Sequence, residues 1–103
     1  MADRGFVITA STSDDVEAYR VILLLDGVEV GRKDYPDDES IAHEDETKRR
    51  FDLADDPDWP NLDGKYEVQV MAVDDAGNTS VPLGGALTLD FVAPDAPTDF
   101  VVF

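Results

Sequence analysis

Carboxylates dominate the chemistry open to this chain. Asp and Glu number 24 against 8 Lys and Arg, for a formal charge of −16 over 103 residues, with one histidine and no cysteine. Clustered side-chain oxygens are the donor set of calcium, which takes about six to eight oxygen ligands. Two groups have that character. Asp74, Asp75 and Asn78 form one; Asp55, Asp56 and Asp58 form the other, with Asp14 and Asp15 in reach of the same pole. Neither has EF-hand spacing, and Asp and Asn are equally the residues that turns select for their local hydrogen bonds. The expectation is no cofactor, with calcium as the single candidate ligand.

Catalysis finds little to work with. A carboxylate pair acting as acid and base needs one member raised in pKa by an apolar pocket, and these acids sit in solvated, turn-like stretches. A nucleophilic triad needs a base beside its nucleophile. The sole histidine, His43, lies in the polar run from Ile41 to Thr47 and reads as a surface residue. The absence of cysteine excludes disulfides, zinc ribbons, thiol catalysis and cysteine-held clusters. There is no Gly-rich phosphate loop and no paired-histidine metal spacing. The chain reads as a non-enzyme with no catalytic residues.

Net charge narrows the partners. A strongly negative chain repels DNA, RNA and anionic lipid inside the Debye length, which leaves cations, basic proteins and simple solubility in salt. The acidic blocks Asp37-Asp38-Glu39 and Glu44-Asp45-Glu46 precede the basic cluster Lys48-Arg49-Arg50. They read either as a solvated face or as a patch that docks a basic surface. The longest apolar run, Val21 to Leu25, is far short of the roughly 20 residues of a membrane helix, so no membrane insertion is expected. The start, Met1 to Gly5, lacks the basic and apolar regions of a secretory signal.

The elements that would position these residues are short strands. Breaker clusters recur along the chain: 11–15, Asp26-Gly27, 35–38, 55–58, Asp63-Gly64, 75–78 and 93–97. Between them lie stretches rich in Val, Ile, Leu, Phe and Tyr, and the spacing predicts strands over 5–11, 18–26, 28–35, 48–54, 65–74, 86–93 and 98–103. Residues 36–47 read as loop. Alternation is cleanest in 65–74, where Tyr66, Val68, Val70 and Ala72 share one face. Asp26-Gly27 between apolar residues predicts a two-residue type I′ hairpin.

Residues 62–80, Leu-Asp-Gly-Lys-Tyr-Glu-Val-Gln-Val-Met-Ala-Val-Asp-Asp-Ala-Gly-Asn-Thr-Ser, resemble the late strand and following turn of fibronectin type III and bacterial immunoglobulin-like domains. The run Val16 to Val21 followed by Asp26-Gly27 resembles the third strand of the same modules. The resemblance implies an immunoglobulin-like antiparallel β-sandwich of about seven strands. Its structural residues would be Leu62 at the strand entry, Tyr66 as a tyrosine corner and Gly77 at the turn's positive φ. It also implies that the 74–78 turn is where some related modules hold calcium, and it favours an extracellular or cell-surface setting over the cytoplasmic or virion alternatives. Two departures stand out. The chain opens on what resembles the second strand, 6–10, and the Pro-rich lead of a first strand comes instead at 93–103. The only tryptophan, Trp59, lies in the acidic connection before Tyr66, as a lid over the sandwich end or as an exposed contact.

The division expected is therefore a sandwich over 1–93 without its usual first strand, and a 94–103 segment that supplies one. A sandwich so truncated exposes a sheet edge able to template another strand. The segment Thr98, Phe100, Val101, Val102 and Phe103 can complete its own sheet, complete a neighbour's by strand addition, or be the opening of a further module in a tandem array. A second candidate surface is the outer face, where Ile22, Leu24, Met71 and Val73 form an apolar patch. It would be covered by a partner or by the chain's own 36–47 loop. The function expected is a structural building block that self-associates head to tail into a filament or surface assembly, its partner itself or another protein. The alternatives are a carbohydrate- or protein-binding module of a cell-surface or phage protein, and an accessory domain of a larger secreted enzyme.

Overall fold

Strands form between the turn clusters because β-branched and aromatic residues there alternate with polar ones. The structure, a computed structural model, describes residues 4–54, 56–59, 64–89, 97 and 100–103. Its strands are β1 (Phe6–Thr9), β2 (Val16–Leu25), β3 (Val28–Pro36), β4 (Lys48–Phe51), β5 (Gly64–Asp74) and β6 (Leu83–Leu89), with a 3-10 turn at Glu39–Ile41. All pair antiparallel, in two sheets of order β1–β4 and β3–β2–β5–β6. The expected type I′ hairpin joins β2 to β3: Asp26 has φ 53° and Gly27 φ 78°, the two positive values that this turn requires.

The two inner faces supply the core. Tyr19, Val21 and Leu23 of β2 and Tyr66, Val68 and Val70 of β5 are buried, as period-2 geometry places them. Phe51 of β4 caps them from the small sheet. Its ring stacks on Phe6 at 5.0 Å and meets Tyr35 and Tyr19 edge-on at 5.3 and 6.2 Å, the offset arrangements aromatic pairs favour. Gly5 is required where β1 meets β4: a Cβ there would lie 1.9 Å from the Phe51 carbonyl oxygen.

Three expectations need correction. The 36–47 segment is not plain loop: Asp38 accepts hydrogen bonds from the Ser40 N–H (2.8 Å) and hydroxyl (2.6 Å), caps the 3-10 turn, and so directs Ile41 into the core. The strand expected at 86–93 begins earlier, at Leu83, and includes Gly84 and Gly85. Glycine weakens a strand interior, but on a strand paired among the described residues only to β5 a missing side chain costs little packing. Finally, Phe100, Val101, Val102 and Phe103 belong to no strand and are exposed. Apolar composition favours a strand, but a strand persists only on a partner edge. Thr98 and Leu62 lie outside the described residues.

Candidate functional site

The sandwich has two long flanks, and they are finished differently. On the β3/β4 flank residues 56–59 fold over the gap between the sheets. Trp59, 6% exposed, donates its Nε1–H to the Tyr35 hydroxyl at 2.7 Å. Tyr35 donates in turn to Asp56 Oδ2 at 2.6 Å, and Lys33 Nζ donates to the same oxygen at 2.7 Å. Lys33 also reaches Asp58 at 2.8 Å and lies 4.9 Å from the centre of the Tyr35 ring. Every half-buried polar atom of this chain of contacts is thereby paired, which is what makes burying it tolerable.

The electrostatics follow. Burial and the Asp56 hydrogen bond push the Tyr35 hydroxyl well above its ordinary value, so it stays a donor. Burial pushes the Asp56 carboxyl up, but the hydrogen bonds from Lys33, Tyr35 and the Asp58 N–H outweigh it, and the net direction is down. Hydrogen bonds to Asp56 and Asp58 raise Lys33. All three groups therefore keep their ordinary charge states at neutral pH. Trp59 takes the lid arrangement among the two that its sequence context left open.

The β1/β6 flank has no such cover among the described residues. Among the described residues β1 is hydrogen-bonded on one side only, to β4. The Ala10 N–H donates to the Thr47 carbonyl and the Ala54 N–H to that of Arg4. Main-chain groups alternate sides along a strand, so the even positions address β4 while Val7 and Thr9 turn their N–H and C=O to the other edge. Beside that edge the inner face of β6 is exposed. Leu83 pairs with Val70 and therefore points inward, yet it is 55% exposed, whereas Leu87, opposite Tyr66, is buried. Between them Gly85, opposite Val68, presents no side chain, and a Cβ built there meets nothing within 4 Å.

The result is an apolar recess of ≈ 160 Å³ walled by Phe6, Ile8, Val68, Val70, Leu83 and Leu87. A second hollow of ≈ 150 Å³ continues it toward Ser11 and Val81, sharing Ile8, Val70 and Leu83. No charged residue lines either one.

The candidate residues expected at the other surfaces fare differently. On the outer face Ile22 and Val73 are buried and Leu24 and Met71 half-buried, so they do not form an open apolar patch. The register sets Ile22 between Arg32 on β3 and Gln69 on β5, long side chains whose stems shield an apolar neighbour. Arg20 and Asp34, cross-strand partners, close a bidentate pair at 2.8 and 3.0 Å on the same face. Val73 is covered where the chain turns back, in a bridge with Thr79.

The 74–78 turn uses its own oxygens. Asp74 Oδ1 accepts from the N–H groups of Ala76 (3.0 Å) and Asn78 (2.8 Å), and Oδ2 from the Asn78 amide (3.0 Å). The Asn78 side chain first, then these N–H groups, hold the Asp74 carboxyl below its ordinary value. Gly77 adopts φ 86°, the conformation anticipated for it, while Asp75 is exposed. Of the second acidic group, Asp56 and Asp58 hold Lys33, Asp14 and Asp15 are exposed, and Asp55 lies outside the described residues. No three acidic or histidine side chains converge as a metal site among the described residues. The Tyr66 ring is fully buried.

Sequence reasoning missed Gly85 and Leu83 as site residues, and the Lys33–Asp56–Tyr35–Trp59 chain altogether. A signal for the first existed: in Leu83-Gly84-Gly85-Ala86-Leu87, period 2 puts a glycine at an inward position between two inward leucines. Nothing local marks the second, because Tyr35 and Trp59 are 24 residues apart. Comparison with family models, curated proteins and solved structures gave no match.

Proposed function

We propose that this chain is a non-catalytic structural building block, an immunoglobulin-like sandwich of the fibronectin type III kind, which associates head to tail with copies of itself by strand addition. The observation that carries the reading is the edge of β1 that takes no strand among the described residues, beside an apolar groove. If β1 is the module's second strand, this edge is the place of the first. The same molecule displays four uncharged residues, Phe100, Val101, Val102 and Phe103, with exposed side chains. An extended segment of that composition suits an open sheet edge: main-chain hydrogen bonds supply affinity and alternate side chains supply specificity. Donor and acceptor are different surfaces, so the contact is heterologous and propagates.

Light scattering across a concentration series tests this. The whole chain is expected to grow in mass with concentration. A 1–93 truncation, which keeps every core residue among the described ones, is expected to stay monomeric, as is the whole chain carrying Val101→Asp and Phe103→Asp. Identical monomers in all three samples would overturn the proposal.

A further inference from the structure

We infer that the recess facing Gly85 is a binding site for one phenylalanine ring, and that its occupant is Phe103 of a second copy of this chain, entering antiparallel to β1. The inference rests on the strand-addition reading and goes further, naming the anchor, its socket and the direction of entry.

Size selects the ring. The recess measures ≈ 160 Å³, and an apolar protein cavity of roughly 150 Å³ takes up one benzene. Its walls are hydrocarbon, and the empty position at Gly85 is what opens it. Charge selects the partner: at a net charge of −16 two copies repel, yet neither the recess nor residues 100–103 carry a charged side chain. This is a place where two such molecules meet without setting side-chain carboxylates against one another.

Direction selects between the two phenylalanines. In an extended segment Phe100 and Val102 point one way, Val101 and Phe103 the other. The small sheet is antiparallel, and an antiparallel addition is the more stable extension. Such a strand passes the Ser11 end of the groove first and the Phe6 end last, because β1 runs from Phe6 toward Thr9. Val101 then lies over the hollow near Val81 and Phe103 over the Gly85 recess. A strand entering parallel to β1 would place Phe100 there instead.

The test uses whole chains. Gly85→Leu fills the recess from within; Gly85 is not among the positive-φ glycines and its Cβ direction is free, so the variant is expected to fold. Gly85→Leu keeps its donor and loses its socket, while Phe103→Asp keeps the socket and loses the donor. Each alone is expected to be monomeric, and their equimolar mixture to form a dimer that grows no further. Phe103→Ala is expected to weaken association about tenfold or more, as loss of a buried ring does, and Phe100→Ala to leave it within about threefold.

If Gly85→Leu associates like the unaltered chain while Phe103→Asp does not, the socket is wrong and strand addition survives. If Phe100→Ala is the damaging change, the direction is wrong. If the unaltered chain never associates, both this inference and the reading beneath it fall.

Discussion

The two flanks of the sandwich face the same physical problem and solve it in opposite ways. Each must close a gap between sheets whose inner faces are apolar. On the β3/β4 side the chain closes it itself: Trp59 and Ile41 are inserted, and the polar atoms drawn in with them are paired through Tyr35, Asp56 and Lys33. On the β1/β6 side an inward leucine stays half in water and a glycine leaves its place empty. The difference teaches where stability and recognition reside. A flank with satisfied hydrogen bonds and filled volume stabilises the monomer. A flank with unpaired main chain and unfilled apolar volume gains by meeting another strand.

The contrast between the flanks breaks most visibly at Trp59. Replacement of a buried aromatic by alanine costs about 3–5 kcal/mol, a large share of the roughly 5–15 kcal/mol that holds a domain of this size. Trp59→Ala is therefore expected to lower the urea midpoint severely. Leu83→Ala, on the open flank, is expected to cost under about 1 kcal/mol in the monomer, because the side chain is already 55% exposed. Equal losses at the two positions would mean that the flanks are not finished differently at all.

A smaller effect sharpens the role of Asp56. Its carboxyl is held down in the folded state, so its contribution is present above the unfolded pKa of about 3.9 and is lost as pH falls through the folded value. Asp56→Asn is expected to cost about 1.5–3 kcal/mol at pH 7, the range for hydrogen bonds to a charged group. The gap to the unaltered protein should narrow steadily below about pH 4. A gap that persists unchanged at pH 2 in urea titrations would show that the carboxylate charge is not what the flank uses.

Salt separates the flanks again. Raising ionic strength from about 0.1 to 1 M shortens the Debye length from about 10 to about 3 Å, relieving repulsion between copies. Association at the open flank is expected to strengthen several-fold, while Trp59 fluorescence on the closed flank stays constant. A salt-independent dissociation constant would contradict the role given to charge. The smallest expected effect is calcium's: Asp74 already accepts hydrogen bonds at both carboxylate oxygens, so adding calcium or chelator is expected to move the melting temperature by less than about 1 °C. A rise with calcium would show that the 74–78 turn rearranges to bind it.

Much of the fold was legible because its rules are local. Period-2 alternation identified the inward faces of β2 and β5, and Asp26-Gly27 announced its own turn. The site was legible only in part. Phe100 to Phe103 looked like a strand, and their side chains are exposed instead. The patch around Ile22 looked open and is shielded, since alternation says which way a side chain points but not how long its cross-strand neighbours are. Ile41 was hidden in an acidic segment, where one buried residue among polar ones has no period to betray it.

By itself the order of residues determined that this chain is all-β, where it turns, and which faces of its strongest strands are apolar. Each follows from the geometry of a few adjacent peptides and their side chains. Tertiary structure alone decided that β1 takes β4 on one edge and nothing described on the other, and that Trp59 packs into one flank while Gly85 leaves an apolar recess in the opposite one. Pairing and closure join residues far apart in the chain, and their outcome depends on volumes and hydrogen-bond partners that exist only once the sheets have met.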